Sequence, residues 1–112
     1  MKNHFTFRLY GVSLRAAKLV TARITLIARH DSDLGRQARR ALSSMHLNIA
    51  ESIDAQGGIR RQRMRTALGS TNEVIACLDL GDALGYAERD EEAVDALGHV
   101  RATLLKLVMA KR

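Results

Sequence analysis

The stretch LGRQARRALSSMHLNIAESIDAQGG, residues 34–58, decides the fold class of this chain. Its apolar residues recur every three or four positions, which is the spacing that places side chains on one face of an α-helix. The stretch ends at Gly57 and Gly58. Because glycine adopts positive φ without a steric penalty, these two residues favour a helix end followed by a tight turn. We therefore predict a helix over about 34–55 that turns sharply into the next element.

The same helical spacing continues on both sides of this stretch. It predicts four helices, over about 8–30, 34–55, 59–85 and 90–110. Ser32 or Asp33 can cap the second helix, since a short side-chain oxygen accepts from the free N–H groups of a first turn. Asp90 and the acids after it favour the start of the fourth helix, where carboxylates stabilise the positive end of the helix dipole. Inside the third helix, Gly69 and Gly81 are predicted to permit close helix approach.

Length and composition agree with a single all-α domain, residues 1–112. Proline and tryptophan are absent and aromatic residues make up 4% of the chain, whereas good helix formers dominate it. Short turns between helices predict antiparallel neighbours, and therefore an up-down-up-down four-helix bundle. A single cysteine, Cys77, excludes an internal disulfide. Because neither a signal peptide nor an apolar run of membrane-spanning length is visible, we expect a soluble, cytoplasmic protein without membrane contact.

Charge is unevenly distributed along the chain, which has a formal net charge of +6. In the predicted bundle, one end gathers the starts of helices 1 and 3 and the end of helix 4. This basic end holds Lys2, Arg8, Arg60, Arg61, Arg63, Arg65, Lys106, Lys111 and Arg112. The opposite, acidic end holds Asp31, Asp33, Asp82 and the acids of 88–95, with Arg36, Arg39 and Arg40 as expected ion-pair partners.

Arginines at the start of a helix are disfavoured by the helix dipole, so the run IRRQRMR, residues 59–65, needs another reason to exist. One interpretation is phosphate binding by the cations of the basic end. The predicted contact residues are Arg8, Arg60, Arg61, Arg63, Arg65, Lys106, Lys111 and Arg112. The alternative, a solvated charged face without a ligand, stays open.

Polar residues form a stripe along helix 2. Arg40, Ser44, Asn48 and Glu51 are four, four and three positions apart, and Ser70 and Glu73 occupy a similar stripe on helix 3. We predict that the stripes meet as a structural polar network in which Arg40 and Asn48 satisfy the two glutamates. A di-metal site is the weaker interpretation, because the glutamates lack a Glu-x-x-His partner.

Nothing in the sequence indicates catalysis. No Gly-rich phosphate loop or nucleophilic triad is evident, and no histidine lies at metal-ligand spacing. Cys77 falls on an apolar helix face without a neighbouring base, so we predict that it belongs to the core. We therefore expect no enzymatic activity, no catalytic residue, no metal and no cofactor.

Residues 37–86 carry a motif spread over two helices. It comprises QARRALSSMHLNIAES, then a glycine turn and an arginine run, then ALGSTNEVIACLDLGDALGY. The motif resembles that of the bacterial "four helix bundle protein" family, first named for reading frames inside intervening sequences of 23S ribosomal RNA genes. Matching residues are Gln37, Arg40, Ala41, Ser44, Asn48, Ile49, Ala50, Glu51, Ala67, Gly69, Ser70, Glu73, Leu84, Gly85 and Tyr86. Met45, His46 and Ser52 depart from the family pattern.

The resemblance implies an assembly and partners. The family includes the accessory variability determinant of diversity-generating retroelements, which looks like a basic, ring-shaped pentamer that binds a reverse transcriptase and nucleic acid. The resemblance implies a ring-shaped homo-oligomer here, with a pentamer as the favoured form. We therefore expect a non-catalytic accessory protein that binds RNA or DNA through phosphate contacts. The alternative is a protein-interaction scaffold, for example for a reverse transcriptase.

Overall fold

Four α-helices make up the computed structural model of this chain, which describes residues 4–110, with side chains from Phe7 onward. The helices are α1 (His4–His30), α2 (Ser32–Asp54), α3 (Gly57–Ala83) and α4 (Glu91–Met109). No strand is present within the described range. The predicted all-α, four-helix class is confirmed. The largest difference in boundaries is at α1, which begins at His4 instead of near residue 8.

Each helix packs against two neighbours, and the four form a bundle with principal extents of 45 × 23 × 19 Å. The diagonal pair α1 and α3 has only slight contact. Pairs of side chains that join neighbouring helices are Ser13–His46, Ser44–Ser70, Asn72–Arg101 and Arg15–Glu92. Along an interface, the position on one helix rises as that on its neighbour falls. On α1 and α2, Ala28 lies by Gly35 and Ser13 by His46. On α2 and α3, Gln37 meets Glu73 and Glu51 meets Arg63. All neighbours therefore run antiparallel, in up-down-up-down order.

The connection from α1 to α2 is a single residue, Asp31. Its Oδ1 accepts a hydrogen bond of 3.0 Å from the backbone N–H of Leu34, so Asp31 is the N-cap of α2. The predicted caps, Ser32 and Asp33, were wrong because α2 begins earlier than expected. Both lie inside its first turn, where a carboxylate stabilises the positive helix end without capping it.

The other two turns agree with the sequence. Gly57, the first residue of α3, has φ +56°, as predicted for the turn after α2, whereas Gly58 has no positive φ. Asp90 caps α4, since its Oδ1 accepts from the backbone N–H of Glu92 at 3.0 Å and of Ala93 at 3.4 Å. The predicted starts of α3 and α4 are each within two residues of those observed.

Two glycines let the helices of this bundle approach closely. A Cβ on Gly81 would lie 2.6 Å from Ile27 Cδ1, which confirms the prediction for that residue. A Cβ on Gly69 would meet nothing within 4 Å, because Gly69 faces outward, so that prediction was wrong. The closest approach was not predicted at all: a Cβ on Gly35 would lie 2.5 Å from Ala28 Cβ and 2.8 Å from Ala28 Cα.

Candidate functional site

Arg60 is bound to the end of the preceding helix. Its Nε donates to the carbonyl oxygens of Ala55 at 2.8 Å and Ser52 at 3.2 Å, and one of its amino groups donates to that of Ile53 at 3.3 Å. The last carbonyls of a helix have no partner inside it, and a cation stabilises the negative end of the helix dipole. This contact explains why an arginine occurs in the unfavourable first turn of α3. It leaves the guanidinium only partly available to a ligand.

Arg61 performs a similar role for α4. One of its amino groups donates to the carbonyl oxygen of Ala110, the C-cap residue of α4, at 2.9 Å. Arg63 instead lies beside the polar stripe of α2, where one amino group is 3.4 Å from Glu51 Oε1 and the other is 3.5 Å from Asn48 Oδ1. Three of the four arginines in the run 59–65 therefore contact other helices of the bundle.

Three cations of the basic end are unpaired within the part of the chain that the structure describes. Arg8, Arg65 and Lys106 are exposed, and within residues 7–110 none of them makes a side-chain hydrogen bond or an ion pair. Arg8 and Lys106 line the same groove, between the start of α1 and the end of α4. Of the other cations assigned to this end from the sequence, Lys2, Lys111 and Arg112 lie outside the described residues.

Several carboxylates near the acidic end form ion pairs with arginines. The arginines involved differ in part from those expected. Arg36 pairs with Asp33 at 2.9 Å, as predicted. Arg39 and Arg40 form no ion pair in the described part of the chain. The remaining pairs are Arg15–Glu92 at 3.1 Å, Arg89–Glu91 at 2.8 Å and Arg89–Asp79 at 3.8 Å. Since these side chains are about half exposed or more, water screens their charges and the pairs stabilise the fold only weakly.

The centre of the predicted polar network lies between α2 and α3. Ser70 Oγ donates to Ser44 Oγ at 2.7 Å, and Asn48 Nδ2 donates to the carbonyl oxygen of Ser44 at 2.9 Å and to its Oγ at 3.2 Å. All three residues are partly buried. The structure therefore joins these three members of the predicted set by direct hydrogen bonds.

The charged members of the predicted set lie further out and have different partners. Glu51, Glu73 and Arg40 are exposed. Glu51 pairs with Arg63, Glu73 accepts from Gln37 Nε2 at 3.2 Å, and Arg40 has no polar partner in the described residues. The expected contacts of Arg40 and Asn48 with the glutamates are not formed, because both glutamates point to the outer edge of the seam.

Gln37 was not included in the predicted network, although it belongs to the quoted motif. It lies one helical turn before Arg40, and both line an open groove of about 480 Å³ on the α2–α3 seam. Ser44, Ser70 and Glu73 line the same groove. Residues of the motif from two helices thus form one continuous polar surface, with arginine and glutamate side chains at its edges.

Two further reactive side chains, Cys77 and His46, pack against other parts of the bundle. Cys77 is buried, as predicted; burial raises the pKa of its thiol, and the charge of Glu73 raises it further. His46 Nδ1 lies 2.5 Å from Ser13 Oγ, and its ring centroid is 4.6 Å from that of Tyr10. Desolvation lowers the pKa of His46. Among the described residues, no three His, Cys, Asp or Glu side chains cluster as metal ligands.

Comparisons with known proteins give one match. The family model described as 23S rRNA-intervening sequence protein matches residues 8–106. It reaches into all four helices and includes the whole motif of residues 37–86, which confirms the resemblance found in the sequence. The comparisons with curated proteins and with solved structures give no match. None of the described helices is long and apolar enough to span a membrane.

Proposed function

This chain belongs to the 23S rRNA-intervening sequence protein family, and from that premise we propose that it is a non-catalytic RNA-associated protein. In this proposal a homo-oligomer, for which a pentamer is the favoured form, binds the phosphates of RNA or DNA at the basic end of each bundle. The family name supports an association with RNA. The charge of the chain supports a polyanionic ligand, since basic proteins attract nucleic acid through its phosphates.

One observation carries the proposal: Arg8, Arg65 and Lys106 are exposed at one end of the bundle with no partner in the described residues. Cations that already pair with carboxylates gain less from a phosphate, because binding must first break the existing pair. Arg61 and Arg63 can add donors, since arginine has five and each uses only one or two within the bundle. Aromatic residues that could stack on bases make up only 4% of the chain, so phosphate contacts without base readout are the expected mode.

The test reverses the three free cations together, in the variant Arg8→Glu, Arg65→Glu, Lys106→Glu. Its matched control reverses three exposed cations away from the basic end, Lys18, Arg29 and Arg39, so both variants have the same net charge. Affinity for a single-stranded and a double-stranded RNA is measured by fluorescence anisotropy over a range of salt concentrations. Each phosphate contact contributes a slope of about −0.7 to −0.9 in log K against log salt.

We expect the basic-end variant to bind at least about tenfold more weakly than wild type at 0.15 M salt, with a shallower salt slope. The control variant should retain most of the wild-type affinity. Equal losses in both variants would indicate attraction by net charge alone, without a defined site. Wild-type affinity in the basic-end variant would contradict phosphate binding at this end.

A second candidate function is a scaffold for an acidic protein partner, for example a reverse transcriptase. The observation that favours it is apolar exposure at the same end: Ile59 is 65% exposed and Met109 is 72% exposed. Phosphates make no use of such side chains, whereas apolar anchors commonly contribute to protein interfaces. Changing Ile59 and Met109 to Ser separates the two functions, because it should weaken a protein complex and leave RNA binding unchanged.

A further inference from the structure

A second groove of about 480 Å³ lies at the basic end, between the start of α1 and the end of α4. Leu9, Val12 and Leu107 provide its apolar floor. Leu9 is buried, and Val12 and Leu107 are partly exposed. The volume lies in the range of about 300–1,000 Å³ that is common for small-molecule sites, which combine an apolar lining with a few polar groups.

The rim of this groove is cationic. Arg8 lies on the α1 side and Lys106 on the α4 side, together with the polar residues His99 and Thr103. Among the described residues, no lining residue is a carboxylate and neither cation has a partner. Within the described part of the chain, positive charge is thus unpaired next to an apolar surface, a combination that suits a ligand with both an anionic and an apolar part.

We propose that this groove binds a small amphiphilic anion, which consists of an anionic head group on an aliphatic chain. The head group binds between Arg8 and Lys106, and the chain covers Val12 and Leu107. This inference goes beyond nucleic-acid binding, because a phosphate backbone has no aliphatic part to bury on the floor. The part of the lining that the structure describes also contains no Phe, Tyr or Trp on which a nucleobase would stack.

The probe is decanoate, titrated into the full-length protein by isothermal calorimetry, with decanol as the uncharged reference. We expect decanoate to bind at least about tenfold more tightly than decanol, which corresponds to about 1.4 kcal/mol. Vesicles of phosphatidylglycerol form a second arm. If the protein binds decanoate but not the vesicles, its ligand is a free amphiphile. If it binds the vesicles as well, an anionic membrane lipid can also be the ligand.

Two variants test the groove itself. Val12→Asn removes apolar floor without a change of charge, and its matched control, Leu14→Asn, makes the same kind of change on the outer face of α1. Lys106→Gln removes one rim cation at an exposed position, so it does not depend on the packing of the core. We expect Val12→Asn and Lys106→Gln each to weaken decanoate binding at least about fivefold, and Leu14→Asn to leave it unchanged.

RNA affinity, measured in parallel, separates this inference from the proposed function. Val12→Asn should bind RNA as wild type does, because it changes no cation. The inference is wrong if neither decanoate nor the vesicles bind, if decanol binds as tightly as decanoate, or if Leu14→Asn weakens decanoate binding as much as Val12→Asn does.

Discussion

Arg60 reaches back across the turn between α2 and α3, and its Nε lies 2.8 Å from the carbonyl oxygen of Ala55, the C-cap residue of α2. The same Nε and one amino group of Arg60 also contact two carbonyl oxygens of the last turn of α2. One side chain thereby satisfies three carbonyl groups that the helix itself leaves without partners. Arg60 is consequently a structural residue, whichever ligand the basic end binds.

We expect Arg60→Ala to lower the free energy of unfolding by about 1–3 kcal/mol, since hydrogen bonds that involve a charged group are among the stronger ones. Urea denaturation followed by circular dichroism measures the change. Arg65→Ala is the matched control on the same helix, with an expected change within about 0.5 kcal/mol. Equal stability in both variants would show that water replaces Arg60 at the end of α2 without cost.

Gly35→Ala should destabilise the bundle by about 1–3 kcal/mol, because its new methyl group would overlap with Ala28, including the backbone Cα at 2.8 Å. Gly69→Ala is the control, and should stabilise the protein by roughly 0.5–1 kcal/mol, since alanine is the better helix former and nothing lies within 4 Å. Thermal unfolding of the two variants should therefore shift the melting temperature in opposite directions. A similar shift in both would contradict the close packing of α1 and α2.

His46 should make stability depend on pH. Burial lowers its pKa in the folded state below the ordinary value of 6.5, so on acidification the unfolded chain takes up this proton first. The contribution of His46 is therefore constant above about pH 6.5, and stability is lost as the pH falls through that value towards the lower folded pKa. The urea midpoints of wild type and His46→Gln, compared between pH 5 and 8, measure this pH dependence. Parallel curves for the two proteins would exclude His46 as the source.

In the polar stripe, Ser44→Ala should lower the free energy of unfolding more than Glu51→Ala does. The Ser44 hydroxyl accepts from both Asn48 and Ser70, and its loss should cost about 1 kcal/mol because both donors are partly buried. Glu51 is 60% exposed in its pair with Arg63, which limits its contribution to about 0–1 kcal/mol. A double-mutant cycle between Ser44 and Ser70 checks the first value. A coupling energy near zero would show that water replaces this hydrogen bond.

The proposed pentamer can be tested by its molecular mass in solution. Light scattering coupled to size exclusion should report a mass close to five times the 12.4 kDa of one chain. The reason to expect an assembly is the family membership, since a bundle of this size can also fold as a monomer. A stable species of 12.4 kDa at micromolar concentration would contradict the pentamer, and would also remove avidity as a source of RNA affinity.

Local signals explain how much of the fold could be predicted. Gly57 and Asp90 were assigned correctly, because a positive φ and a helix N-cap depend on residue type and immediate neighbours. Asp31 was missed in favour of its neighbours since three consecutive residues, DSD, can all act as caps. The choice among them depends on how far α1 continues, and the short polar segment does not encode that distance.

The candidate site could be predicted only in part, because its contacts are tertiary. The arginine-rich run was found from charge alone, but nothing in its spacing shows that Arg60 and Arg61 bind carbonyl groups of other helices. Helical periodicity assigned Gly69 and Gly81 to α3 without distinguishing outward from inward positions. Periodicity also placed Arg40 and Glu51 on one stripe, although that stripe is wide enough for its charged members to lie at the solvent-exposed edge.

The helix–helix seams of the bundle differ in the length of chain that separates the two helices they join. The seams α1–α2, α2–α3 and α3–α4 join consecutive helices, and that of α2 with α3 is the most extensive. The seam of α1 with α4, which contains the apolar groove, closes a loop of two entire helices and therefore carries the largest entropic cost. We expect it to form last during folding, so amide hydrogens along α4 should exchange with solvent faster than those of α2.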